Sequence, residues 1–144
     1  MKVKFKKLNP NAKLPTKATK GAAAYDLYAA ESVYIPIGET AVVGTGLSME
    51  IPPGWKGEVY SRSGLASKGI VVANSPGKID SDYRGEIKVI LHNNRNTDLV
   101  GILTGDRIAQ FEVNPDYSCD LTFEEVQELS ISERGEGGLG STGV

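Results

Sequence analysis

The chain is expected to fold as an all-β domain, a jelly-roll-like sandwich or barrel with at most one short helix. Three observations carry this. Glycine and proline, 17 and 7 of the 144 residues, punctuate the chain about every eight to twelve residues. Between them lie short runs rich in Val, Ile and Tyr, which suit a pleated, half-buried surface. In one such run Ile87, Val89 and Leu91 alternate with Lys88, Ile90 and His92, the period of two that a strand with one buried face requires.

Taken in order, the expected strands are "VKFKKL" (3–8), "VYI" (33–35), "TAVVGTGLSMEI" (40–51), "KGEVYS" (56–61), "GIVVAN" (69–74), "GEIKVILHN" (85–93) and "RIAQFEV" (107–113). Helix is scarce. "GLASKG" (64–69) suits one or two turns opened by Ser63 as N-cap, and "FEEVQEL" (123–129) spaces Phe123, Val126 and Leu129 for a helix or a short irregular strand. No linker or repeat divides the chain, and 144 residues suffice for one domain that buries roughly 70% of its unfolded surface. The end changes character: "RGEGGLGSTGV" places five glycines in its last ten residues. Such a segment packs no core. It is either a disordered tail or a flexible strap whose free amides curl around phosphate oxygens, with Arg134, Ser141 and Thr142 adding donors.

Composition excludes several classes. Apolar residues make up 40% and charged residues 24%, and no apolar run approaches the ~20 residues that span a bilayer. The basic N-terminus lacks the continuous apolar stretch of a signal peptide, so a soluble cytoplasmic protein with no membrane partner is expected. A formal charge of −2 speaks against bulk binding to nucleic acid. One cysteine, Cys119, and one histidine, His92, exclude an intrachain disulfide framework and a Cys/His zinc cluster. His92 reads as a surface strand residue and Cys119 as inert.

With no credible covalent nucleophile, any hydrolysis has to use water activated by a carboxylate or a metal. Asp26, Asp80, Asp82 and Asp106 are the loop candidates. A lone aspartate is ordinarily a turn former. Asp80 stands out by its company: "SPGKIDSDYRGE" (75–86) sets it after a Gly/Pro turn and three residues before Tyr83, so one hairpin offers polar backbone, a base and a flat wall. "SRSGLASKG" (61–69) puts Arg62, Ser63 and Gly64 ahead of a helical turn, the composition of an anion site. In "GDRIAQ" (105–110), Gln110 suits an oxygen, and Arg107 either adds positive charge or pairs with Asp106 as a structural clamp.

"AAAYDLYAA", "SRSGLASKG", "GKIDSDYRGE", "GDRIAQ" and "RGEGGLGSTG" resemble, in sequence and in order, the five motifs of the trimeric deoxyuridine triphosphatases (dUTPases), over residues 21 to 143. The resemblance implies a homotrimer with active sites at subunit boundaries. It implies conversion of dUTP to dUMP and pyrophosphate with magnesium (Mg2+), which limits uracil in DNA and supplies dUMP for dTMP synthesis. Residues 1–133 would form the β domain and 134–144 an arm closing over a neighbouring site.

Carried over by position, Asp80 would deprotonate the water that attacks the α-phosphorus, and Tyr83 would lie against the deoxyribose and exclude a 2'-hydroxyl. Asn74 and the main chain of Lys78, Ile79 and Lys88 would hydrogen-bond uracil. Arg62, Ser63, Gly64 and Gln110 would bind phosphates, as would the arm through Arg134, Gly140, Ser141 and Thr142. Asp26 would face magnesium through water. Leu139 stands where the family usually carries Phe. Stacking on a base is worth about 1–3 kcal/mol, of which leucine keeps only the apolar-contact part. Two alternatives share the nucleotide chemistry: a dCTP deaminase of the same fold, and a nucleotide-binding signalling trimer.

Overall fold

The computed structural model describes residues 1–140; Ser141 and Thr142, and the side chain of Cys119, lie outside what it describes. Ten strands form two four-stranded antiparallel sheets and a small pair. The first sheet orders β1 (Lys4–Lys7), β4 (Thr40–Glu50), β8 (Glu86–Asn93) and β6 (Ile70–Val72). The second orders β2 (Tyr25–Tyr28), β10 (Arg107–Pro115), β5 (Trp55–Tyr60) and β7 (Gly77–Ile79). β3 (Val33–Ile35) pairs with β9 (Val100–Ile102). This is the jelly-roll-like β architecture that the strand rhythm predicts.

Between the sheets lie Leu27, Val43, Leu47, Val59, Ile87, Val89, Leu91, Ile108 and Phe111. Each buried Val, Leu or Ile contributes about 1.5–3 kcal/mol over leaving it in water. As the alternation in β8 requires, Ile87, Val89 and Leu91 are buried while Lys88 is exposed and Ile90 and His92 are intermediate.

Two bulges shape the sandwich. In β4 the register against β8 shifts between Gly44 and Ser48. There the Glu31 and Glu86 carboxylates accept the Gly44 and Gly46 amides at 2.7 and 2.9 Å, and the Thr45 hydroxyl donates to the Ile87 carbonyl at 2.7 Å. Gly46 has φ +64° and a Cβ there would stand 2.9 Å from that of Ala12, so this turn of chain admits only glycine. The second bulge, between Arg107 and Ala109 of β10, bears on the site.

Each expected strand is present, with ends shifted by up to two residues, but β2, β7 and β9 are additional. The α-helix is the single turn α1 (Ser63–Ala66), joined by a 3-10 turn at Ser118–Asp120, and Arg62 occupies the α1 cap position without a side-chain capping bond. Ser63 is therefore the first helical residue and not an N-cap. Residues 123–129 form neither helix nor strand, because their apolar side chains have nothing to pack against: Phe123 is 94% and Leu129 86% exposed.

Candidate active site

The predicted residues fall into three groups. In the first, Asp26 on β2 sits opposite Gln110 on β10, and Arg107 opposite Tyr28. Arg107 and Gln110 are three apart, so a regular strand would point them to opposite faces. The bulge adds one residue and brings both to the face that Asp26 occupies. Asp26 is buried, and its two oxygens accept from Arg62 Nε at 3.0 Å and Arg107 Nη1 at 3.5 Å. Arg62 Nη1 also donates to the Arg107 carbonyl at 3.0 Å.

Two cations on one buried carboxylate leave a net positive centre at the start of α1, beside Ser63 and the unencumbered Gly64. The proposed Asp106–Arg107 clamp does not form. Asp106 instead accepts the Leu103 amide at 2.8 Å, closing the turn after β9, and this frees Arg107 for Asp26.

The second group is the hairpin from β7 to β8. These strands are adjacent in sequence but belong to different sheets, so they diverge instead of pairing. β7 bonds on one side only, to β5, and Lys88 finds its strand partner in Gly44 of β4. Alternate main-chain groups of an antiparallel strand point away from its partner, here into the gap. A slot of about 50 Å³ results, lined by Asn74, Gly77, Lys78, Ile79, Lys88 and Ile90 among others. It adjoins an opening of about 370 Å³ that adds Asp80, Tyr83, Glu86 and Val42.

The loop at its rim is a turn closed by the Tyr83 amide on the Asp80 carbonyl at 3.1 Å, and Arg84 Nη1 donates to the Ser81 and Tyr83 carbonyls at 2.6 and 3.0 Å. Tyr83 donates its hydroxyl to the Glu86 carbonyl at 3.0 Å. The exposed Asp80 carboxylate takes no hydrogen bond or ion pair among the described residues. It is available to hold a water.

The third group is the arm. Arg134 donates Nε to the Gly137 carbonyl at 2.7 Å, and Leu139 and Gly140 are exposed with φ of +48° and +81°. Among the described residues the side chains of Asp26, Arg62 and Arg107 make no hydrogen bond or ion pair to Asp80, Tyr83 or Arg134 within one chain; the link between the first two segments is the Ser61 amide on the Ser75 hydroxyl at 3.3 Å. Sequence reasoning left the role of Arg107 open; its ion pair with Asp26 spans 81 residues and leaves no local signal. A larger groove of about 530 Å³ lies elsewhere, among Met1, Val3, Phe5, Leu14 and Tyr25, and contains none of the predicted residues.

The family model for dUTPase matches residues 10–143. The deoxyuridine 5'-triphosphate nucleotidohydrolase of Nautilia profundicola is 51% identical, covering 99% of each chain, and that of Helicobacter hepaticus is 50% identical over all of this chain and 90% of its own. Among solved structures, the dUTPase of Staphylococcus bacteriophage 80alpha with dUPNHPP superposes with a TM-score of 0.89 at 32% identity, covering 99% of each chain. A dUTPase of phage phi11 of S. aureus, described with a structural Mg(II) ion, superposes at 0.79 with 28% identity, over 89% of this chain and 98% of its own.

Proposed function

The chain belongs to the dUTPase family, and on that premise we propose that it is a dUTP diphosphatase that releases dUMP and pyrophosphate. One observation carries the mechanism: a carboxylate with no partner among the described residues, Asp80, stands at the rim of a slot walled by main-chain groups of β7 and β8. Uracil enters that slot and reads the peptide groups of Lys78, Ile79 and Lys88 together with the Asn74 amide. Cytosine presents an amine where uracil presents a carbonyl and leaves those groups unpaired, a mismatch that discriminates by orders of magnitude. Tyr83 stands against the sugar.

Asp80 takes a proton from water as its oxygen bonds to the α-phosphorus; the bond from that phosphorus to the bridging oxygen breaks, and pyrophosphate leaves. A carboxylate is a feeble base toward water, so general-base help of about 10²- to 10⁴-fold has to be joined by positioning and charge neutralisation. Arg62 supplies the latter with Ser63, Gly64 and Gln110. Arg134, Leu139, Gly140, Ser141 and Thr142 belong to an arm, 134–144, that closes over the nucleotide.

Magnesium suits this donor set in one way. Among the described residues no three His, Cys, Asp or Glu are grouped to hold a metal, and Mg2+ commonly rests on substrate phosphates and waters with one or two carboxylates. Asp26 would face it through water, since a carboxylate has about four acceptor positions and the arginines occupy two. When bound, the ion supplies positive charge against the triphosphate.

In this reading the chain assembles as a homotrimer, in which the Asp80 hairpin of one copy completes the Arg62 cluster of another. Support comes from two complementary surfaces. Residues 121–131 expose Leu121, Phe123, Leu129 and Ile131 among Glu124, Glu125 and Glu128. The apolar groove beside β1 is walled on one side by Met1, Val3, Phe5, Leu14 and Pro15, in a stretch, 1–20, that carries seven lysines and no acid, and on the other by Ala23, Tyr25 and residues 111–114, with one acid, Glu112. That groove is the seat for this segment of a second copy. No described helix is long and apolar enough to cross a membrane.

The deciding experiment measures pyrophosphate release from dUTP, UTP, dTTP and dCTP, with and without magnesium, in water labelled with heavy oxygen. Strong preference for dUTP is expected, with the label in dUMP. Label in pyrophosphate, or ammonia from dCTP, would sink the reading.

A further inference from the structure

We propose that Gly85 is a positioning residue for Tyr83, its missing side chain leaving the space in which the tyrosine ring lies against the hairpin backbone. The inference rests on the reading of Tyr83 as the wall facing the sugar, and it assigns what sets that wall. A Cβ at position 85 would stand 2.4 Å from the Tyr83 hydroxyl oxygen, 2.5 Å from Cζ and 2.9 Å from Cε2, and these three are its nearest neighbours. All are far inside the separation of about 3.5–4.0 Å at which such atoms attract. Backbone conformation does not ask for glycine, since Gly85 is absent from the residues with positive φ. The ring does.

The ring folds back because its hydroxyl reaches the Glu86 carbonyl at 3.0 Å, across the α-carbon of Gly85. Tyr83 is 47% exposed, so a methyl at position 85 is most cheaply relieved by swinging the ring outward, with the strands left in place. A wall that rejects a 2'-hydroxyl by contact works only while it keeps its distance from the sugar. Gly85 therefore governs dUTP-over-UTP selectivity without touching the nucleotide.

The test compares kcat/KM for dUTP and UTP in the wild type, Gly85→Ala, Tyr83→Ala and the double variant, with the Tyr83 ring position taken from a crystal structure of Gly85→Ala. The ring is expected off the Glu86 carbonyl. The dUTP/UTP ratio is expected to fall about tenfold or more, and Gly85→Ala should add nothing in the Tyr83→Ala background. An unchanged ratio in Gly85→Ala beside a reduced one in Tyr83→Ala overturns the inference, as does an equal loss in both backgrounds. If Tyr83→Ala keeps the wild-type ratio, it is the sugar-wall reading that fails; the positioning claim then stands or falls on whether the ring has moved. Should Gly85→Ala not fold, Tyr83→Phe removes the bond to Glu86 and keeps the ring. Partial loss of selectivity is then expected, and wild-type selectivity overturns the claim.

Discussion

Asp80 and Asp26 are the same residue type in opposite circumstances. Asp26 is buried and held by two arginines, whereas Asp80 is exposed and bonds to nothing among the described residues. The Asp26 oxygens are already taken by two cations, whereas both Asp80 oxygens at the pocket rim are open, among the described residues, to hold a water. Asp80→Asn preserves shape and removes the basic site. Turnover is expected to fall by about 10²- to 10⁴-fold, with the dissociation constant for dUTP within a few-fold of wild type. Single-turnover kinetics with calorimetric titration checks this, and normal turnover would remove Asp80 from the mechanism.

At the scale of elements, β5 lies between the strand that carries Arg107 and Gln110 and the strand that leads to Asp80, since it pairs with β10 on one side and β7 on the other. Its outer face carries a polar network. Glu58 accepts from the Asn114 amide at 2.7 Å and the Tyr60 hydroxyl at 2.9 Å. The Asn114 bond above all holds the Glu58 carboxyl below its usual range, while the bond to Glu58 raises the Tyr60 phenol above its own.

The signs are opposite. The Glu58 contribution to stability is present above its unfolded value of about 4.3 and is lost as pH falls through the lower folded value. That of Tyr60 is present below about 10 and is lost as pH rises through the higher folded value. Glu58→Gln is expected to return Tyr60 titration toward about 10, read as tyrosinate absorbance against wild type, and to flatten the acid limb of melting temperature against pH. An unmoved Tyr60 would show that the phenol does not depend on Glu58.

At the scale of the molecule, the proposed trimer has a measurable consequence. If the hairpin and the arginine cluster of one site come from different copies, Asp80→Asn and Arg62→Ala proteins are each inactive alone. Unfolded together and refolded, they are expected to regain part of the wild-type rate, because mixed trimers contain some sites with both residues intact. Sedimentation should give the mass of three chains. No recovered activity in mixed particles of that mass would place both groups of a site in one chain.

Much of this was legible from local pattern. The alternation in 87–91 is a property of neighbours, and it correctly assigned a buried face. The five motifs, in their order, identified the family across nearly the whole chain. What stayed hidden has a common cause. β7 and β9 are three residues each and contain glycine, and β2 is four; they are strands because of the partners that hold them.

The amino-acid order by itself therefore determined the fold class and the family, both carried by short-range spacing. Only the tertiary structure decided that Asp26 binds Arg62 and Arg107, that Asp106 closes a turn, and that Gly85 yields its space to a ring. The first depends on pairings 36 and 81 residues apart and on a bulge that turns a side chain to the other face. The other two depend on backbone geometry within a few residues. Residue spacing alone encodes neither distance.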